Sequence, residues 1–242
     1  MSFYTKTTAT ATDLFYQYDA LRRFQDAHLS DTQAVDIEQY ITYQALGQAI
    51  LLSQPAGQVD DMLPENLHGK GPTRAVVLID EIDKAPRDLP NDVLNEVEKM
   101  EFTVKETGHT FRAEQRYRPI LVLTSNSEKN LPDPFLRRCL FYHIPFPSAE
   151  HLKEIVQKRF QDHPDFTPQF IEAVIAHFED IRKLTLKKKP AIAEFLAWIR
   201  VLQALEIDPN HPKPGQSEAL ALSYSILAKT QEDLATLKRK FL

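Results

Sequence analysis

An unbroken apolar run, Ala75-Val76-Val77-Leu78-Ile79, ends abruptly in Asp80-Glu81. A short continuous stretch rich in β-branched residues reads as a strand buried on both faces, which is the mark of a parallel sheet covered by helices. The pattern recurs. Pro119-Ile120-Leu121-Val122-Leu123 ends in Thr124-Ser125-Asn126, and Leu140-Phe141-Tyr142-His143-Ile144 is closed by Pro145 and Pro147. Between the first two runs, Leu89, Val93, Val97 and Met100 step by four and three and predict an amphipathic helix over 88–100. Glu101–Arg112 alternates around Gly108 as a β-hairpin does, and a helix over 133–139 leads to the third run. Strands alternating with helices imply a parallel α/β sheet.

The flanking segments read differently. Residues 2–8 lean towards β structure, with Phe3, Tyr4, Thr5, Thr7 and Thr8. Asp13 suits the cap of a helix carrying Leu14, Phe15, Tyr18, Leu21 and Phe24. A second helical stretch over 34–52 carries Val35, Ile41, Ala45, Ala49 and Leu52, and 54–74 is a loop. From Ser148 the pattern is helical only, with spans at 148–160, 167–181, 191–206 and 216–240. The change of pattern and the two stiff prolines put a domain junction near 147, giving an α/β domain over 1–147 and a helical domain over 148–242. Trp198 shares helical spacing with Ile192, Phe195, Ile199 and Leu202, so it reads as helical-domain core.

Composition removes several classes. Cys139 is the only cysteine, so neither an internal disulfide nor a cysteine zinc site is open, and a reducing, cytoplasmic setting is the expectation. No stretch approaches the ~18 consecutive apolar residues of a membrane span. The Thr-rich first dozen residues hold no Arg, which argues against a transit peptide. A net charge of -5 gives no global attraction to nucleic acid. Lys183, Lys187, Lys188 and Lys189 form a local basic run, but the neighbouring helix lacks a matching basic face.

The acidic strand end carries chemistry. Ligands of a parallel sheet sit beyond the carboxyl ends of its strands. There Asp80 suits a magnesium ion on a nucleotide, and Glu81 suits the polarisation of an attacking water. Asn126, at the end of the next run, would orient that water. Arg137 and Arg138 follow a proline-marked helix start and would reach a neighbour's nucleotide across an oligomer interface. Each signal alone also fits an ordinary strand end, a polar turn or a solvated helix terminus. A metal-dependent nuclease built on Asp80, Glu81 and Asp83 is disfavoured, because successive residues leaving a strand point in alternate directions. Asp83 instead reads as the local ion-pair partner of Lys84.

The ordered set is more specific than its parts. Ala75–Pro86, the hairpin 101–112, Arg118–Asn126 and Leu131–Cys139 resemble an AAA+ ATPase, most closely the MoxR-type, dynein-related group. Thr8–Phe24 and Leu186–Leu202 extend the resemblance over most of the chain. The resemblance implies a parallel-sheet core of the P-loop NTPase kind with a C-terminal all-helical lid. It implies Asp80 and Glu81 as the Walker B pair, with Asp80 on Mg²⁺, and Asn126 as sensor 1. Arg138 would be the arginine finger, with Arg137 as runner-up, and Lys188 or Lys189 would approach the γ-phosphate in place of sensor 2. The 101–112 hairpin would face the ring lumen or a substrate. Implied too are ATP and Mg²⁺ as cofactors, a homo- or hetero-oligomeric ring, a protein client, and a von Willebrand A-type partner. No membrane or nucleic-acid partner is implied.

One part of the family pattern is absent. The phosphate loop G-x-x-x-x-G-K followed by Ser or Thr supplies backbone N–H groups and a lysine to the phosphates. The chain holds only 6 glycines, and its single Gly-Lys, at Gly69-Lys70-Gly71, lacks the rest of the motif and reads as a turn. The family's first strand, phosphate loop and first helix have no counterpart in these 242 residues. That strand lies centrally in the family's sheet, so the run at 140–144 is expected to lack a neighbour and the chain alone to be poorly stable. Two readings follow. The chain is the downstream part of a longer ATPase that remodels or matures a protein partner, or it is a nucleotide-incompetent paralogue acting as an interaction subunit.

Overall fold

The apolar run at 75–79 and its two neighbours in space form a three-stranded parallel sheet. The computed structural model describes residues 1–29, 36–126, 129–161 and 166–241. Within them the chain divides into two compact units, Met1–Tyr142 and His143–Leu242. In the first, the elements run β1 (Ser2–Tyr4), β2 (Tyr16–Tyr18), α1 (Ala20–Leu29), β3 (Ile41–Tyr43), α2 (Ala45–Leu51), α3 (Ala56–Val59), β4 (Val76–Asp80), α4 (Leu89–Asp92), α5 (Leu94–Lys99), β5 (Glu101–Thr103), β6 (Thr110–Arg112), β7 (Ile120–Leu123) and α6 (Asp133–Leu136). The sheet order is β1-β4-β7. Phe3 pairs with Ile79, and Ile79 with Leu123, so the carboxyl ends of all three strands lie together.

Among the described residues of the first unit, one face of this sheet is covered. Val77 and Ile79 are buried in a core that includes Leu14, Leu46, Ile50 and Ile82, with Phe3, Leu121 and Leu123 packed against it. On the other face Tyr4, Val76, Ile120 and Val122 are exposed. The expectation of strands buried on both faces therefore holds for one face of β4 and β7.

The third run is not a strand. Residues 140–144 have no regular structure, and Leu140, Phe141, Tyr142 and Ile144 are each at least 79% exposed. Their composition suits a strand, but strand backbone needs a paired neighbour, and among the described residues none is there.

Two predicted helices are replaced by shorter pieces. Where one helix from Asp13 is expected, a single turn over Thr12–Leu14 is followed by β2 and then α1. Within 34–52, residues 34 and 35 lie outside the described residues, and the rest forms a turn, β3 and α2. Tyr16, Gln17 and Tyr18 pair antiparallel with Tyr43, Thr42 and Ile41. The hydroxyl of Asp13's neighbour in the turn, Thr10, donates to Asp13 at 2.8 Å, so Asp13 closes a tight turn rather than a helix. The 88–100 helix breaks between α4 and α5 and ends on Met100 in the left-handed region, φ 52°. The hairpin forms as β5 and β6. Its Phe102 and Phe111 pack with Phe15, Tyr16 and Tyr43, and the Tyr16 hydroxyl donates to Glu106 at 2.9 Å and accepts from the Lys105 N–H at 3.0 Å.

The second unit is helical: α7 (Ala149–Arg159), α8 (Pro168–Lys183), α9 (Ile192–Ala204), α10 (Ser217–Leu227) and α11 (Gln231–Phe241). Ser148 and Thr167 cap α7 and α8 by accepting from the N–H groups of His151 and Phe170. The expected single helix over 216–240 is split, because Ala228 is extended and Thr230 starts a new helix by accepting from the Asp233 N–H. Phe178, Ile181, Phe195, Trp198 and Tyr224 are fully buried, and the Trp198 indole N–H donates to Ser223 at 2.9 Å. Among the described residues no helix is long and apolar enough to cross a membrane.

Candidate functional site

The parallel register sets Thr124, one residue beyond β7, beside Asp80 at the end of β4. Its main chain continues the ladder, with the Thr124 N–H donating to Ile79 at 3.0 Å and its carbonyl accepting from the Ile82 N–H at 2.9 Å. Its hydroxyl donates to Asp80 Oδ1 at 2.5 Å and accepts from the Glu81 N–H at 2.9 Å. The two strand ends are thereby stitched together by four hydrogen bonds through one residue.

Glu81 is held in an unusual conformation. Its φ is 56° and ψ 49°, the left-handed region that glycine takes readily and a side-chain-bearing residue takes at about 1–2 kcal/mol. In this turn both oxygens of the Glu81 carboxylate find partners. Oε1 accepts from Asn126 Nδ2 at 3.1 Å, and Oε2 meets Lys84 Nζ at 2.5 Å. Asp80 Oδ2 makes no hydrogen bond to any described residue. A carboxylate oxygen left open at a strand end is the kind of ligand a hard divalent cation takes.

Asp83 differs from its expected role. It is 2% exposed, far from a surface residue, and accepts from the Asn126 N–H at 3.4 Å. The ion pair of Lys84 that is seen runs to Glu81. Asp83 therefore sits behind Asn126 while Lys84 sits beside the carboxylate. Among the described residues no three His, Cys, Asp or Glu side chains are grouped to hold a metal ion on their own.

Of the predicted site residues, Asp80, Glu81 and Asn126 come together. Arg137 and Arg138 do not join them through any contact seen. Arg137 is the exposed residue that ends α6. Arg138 pairs with Glu98 at 3.2 Å and donates to the Pro134 carbonyl at 2.9 Å. Lys188 and Lys189 belong to the second unit and are exposed. Their loop is pinned by Asp233, buried at 3% exposure, which accepts from the Lys187 and Lys188 N–H groups at 2.8 and 3.2 Å. Burial works against the charge of Asp233, but these N–H groups outweigh it and hold the carboxyl below its ordinary pKa. Gly69-Lys70-Gly71 forms a turn in which the Gly69 N–H, at φ +70°, donates to Asp60. Cys139 is half-buried, and burial raises its thiol pKa.

Two members of the cluster escape a reading of the sequence. Thr124 carries a signal only once the register of β4 and β7 is known. Asp83 resembles any surface acid until the backbone of Asn126 is placed over it.

No protein-family model matches the chain, and no curated protein matches it. Among solved structures, a candidate ATPase from Cytophaga hutchinsonii is similar over 100% of this chain and 68% of its own, at 13% identity and a TM-score of 0.37. A likeness of that degree assigns neither fold family nor activity.

Proposed function

We propose that the chain carries the metal and water side of an ATP-hydrolysing site of the AAA+ kind, coupled to remodelling or maturation of a protein partner. The observation that carries this reading is the pairing of Glu81 with Asn126 at the carboxyl ends of two adjacent parallel strands, beside an open oxygen of Asp80. Asp80 would hold Mg²⁺, which when bound neutralises charge on nucleotide phosphates. Glu81 takes the proton of the attacking water as general base. Asn126 fixes the Glu81 carboxylate and, through its amide, the water it shares. Lys84 neutralises Glu81 until that water arrives. The MoxR-type assignment, the oligomeric ring, the finger role of Arg138 and the sensor role of Lys188 or Lys189 belong to the same proposal and rest on the resemblance.

The test uses the polypeptide isolated from its own source, whose mass shows whether residues precede Met1. Mg·ATP turnover is expected there. Glu81→Gln stops it while ATP stays bound. Turnover that survives Glu81→Gln overturns the reading.

A further inference from the structure

We infer that Thr124 is the positioning residue of this site, a single hydroxyl that sets Asp80 and Glu81 relative to each other. A hydroxyl has one proton to donate and two lone pairs to accept with. Thr124 spends the proton on Asp80 Oδ1 and a lone pair on the Glu81 N–H. The first bond fixes the rotation of the Asp80 carboxylate and leaves Oδ2 as its open oxygen. The second holds the peptide that enters the left-handed residue Glu81, φ 56°. That conformation is intrinsically unfavourable and persists only where its surroundings impose it. The same peptide geometry decides where the Glu81 carboxylate goes, and it goes to Asn126. Thr124 acts through the two acids, by its bonds to the Asp80 carboxylate and the Glu81 N–H. That the two acids serve a cation and a water rests on the hydrolytic reading above, whereas their mutual placement does not.

Three forms of the 242-residue chain test this: wild type, Thr124→Val, which keeps the shape without the hydroxyl, and Thr124→Ser, which keeps the hydroxyl. The first readout is hydrogen exchange of the Glu81 amide, together with its HN–Hα coupling, which reports φ. Thr124→Val is expected to exchange about tenfold faster, the loss of one partly buried hydrogen bond, with a changed coupling. Thr124→Ser is expected to match wild type. Equal exchange in wild type and Thr124→Val overturns the inference. So does a Thr124→Ser that behaves like Thr124→Val, since packing of the methyl group would then be responsible. If Thr124→Val does not fold, wild type decides. Its Thr124 hydroxyl proton is expected as a slowly exchanging resonance with a cross-peak to the Glu81 amide, and the lack of one overturns the inference. The second readout is MnCl₂ broadening of the Asp80 and Glu81 amides, expected in wild type and Thr124→Ser and weaker in Thr124→Val. If broadening is missing from all three while the exchange pattern holds, the hydrolytic reading fails and the positioning of the two acids by Thr124 stands.

Discussion

The side-chain amide of Asn126 lies 3.1 Å from the Glu81 carboxylate, bridging the ends of two parallel strands that are paired residue for residue. Neither group belongs to the other's strand, so the contact exists only because the sheet aligns them. On the proposed hydrolytic reading, Asn126→Ala is expected to lower Mg·ATP turnover about a hundredfold while Mn²⁺ still reaches Asp80. Steady-state rates on the source polypeptide decide it. An unchanged rate would remove Asn126 from the reaction.

Arg138 spends its guanidinium on Glu98 and on the Pro134 carbonyl of the preceding helix. The Glu98 contact is solvent-exposed on both sides, so it holds the arginine weakly. On the proposed finger role, Arg138→Ala is expected to leave nucleotide binding intact and to abolish turnover in any assembly that forms, with Arg137→Ala milder. If Arg138→Ala assembles and turns over like wild type, the finger is elsewhere.

Gly47 of α2 has no room for a side chain. A Cβ there would stand 2.0 Å from the Phe15 carbonyl oxygen, which is backbone and already accepts from the Gln44 N–H. Real Cβ atoms do not approach that closely, so α2 or the start of β2 must move. Gly47→Ala is expected to destabilise the first unit by about 3 kcal/mol. Hydrogen exchange of the Gln48 and Leu52 amides, which donate to the Gln44 and Gln48 carbonyls, measures it. Unchanged protection would show that the helix can shift without loss.

Much of this was legible in the sequence where a segment's own pattern decides its structure. Val76–Asp80 and Ile120–Leu123 announce themselves by continuous apolar residues, and the acids and amide at their ends follow from that. β2 does not, because Tyr16-Gln17-Tyr18 sits within a helical spacing from Leu14 to Phe24, and only Ile41–Tyr43, far along the chain, makes it a strand. Residues 140–144 fail the other way: the strand pattern is present, and among the described residues the partner is not. At the site, Glu81 and Asn126 are recognisable by type and position, whereas the role of Thr124 depends on register and that of Asp83 on burial.

The exposed run at 140–144 predicts behaviour in solution. Phe141 and Ile144 are 85% and 79% exposed, so they add almost nothing to the stability of the folded chain while offering apolar surface to other molecules. Phe141→Glu with Ile144→Glu is expected to reduce concentration-dependent association in sedimentation velocity and to leave the melting temperature within a degree or two. A fall of several degrees would mean that these side chains are buried in solution.

His177 makes the second unit sensitive to acid. It is 5% exposed and stacked near Trp198, Tyr224 and Phe241. Nδ1 lies 3.0 Å from Asn210 Oδ1 and Nε2 2.9 Å from the Tyr224 hydroxyl. Asn210 donates its own amide to the Ala173 carbonyl, so its oxygen faces the ring and the Nδ1–H donates to it; Nε2 then accepts from Tyr224. That pairing suits the neutral ring. Burial drives the His177 pKa below its ordinary value, and the Asn210 bond and the charges of Asp180 and Asp208 oppose this without reversing it. The sign follows from proton counts. The unfolded chain takes up a proton near pH 6.5, and the folded chain does so only at lower pH. Below about pH 6.5 the unfolded state therefore binds more protons, and stability falls as pH falls towards the folded value. Trp198 is the only tryptophan and lies 5.6 Å from the His177 ring, so its fluorescence reports unfolding of this unit. Urea midpoints are expected to drop between pH 7 and pH 5 in wild type and to drop less in His177→Gln. Parallel declines in the two proteins would show that other groups set the acid sensitivity.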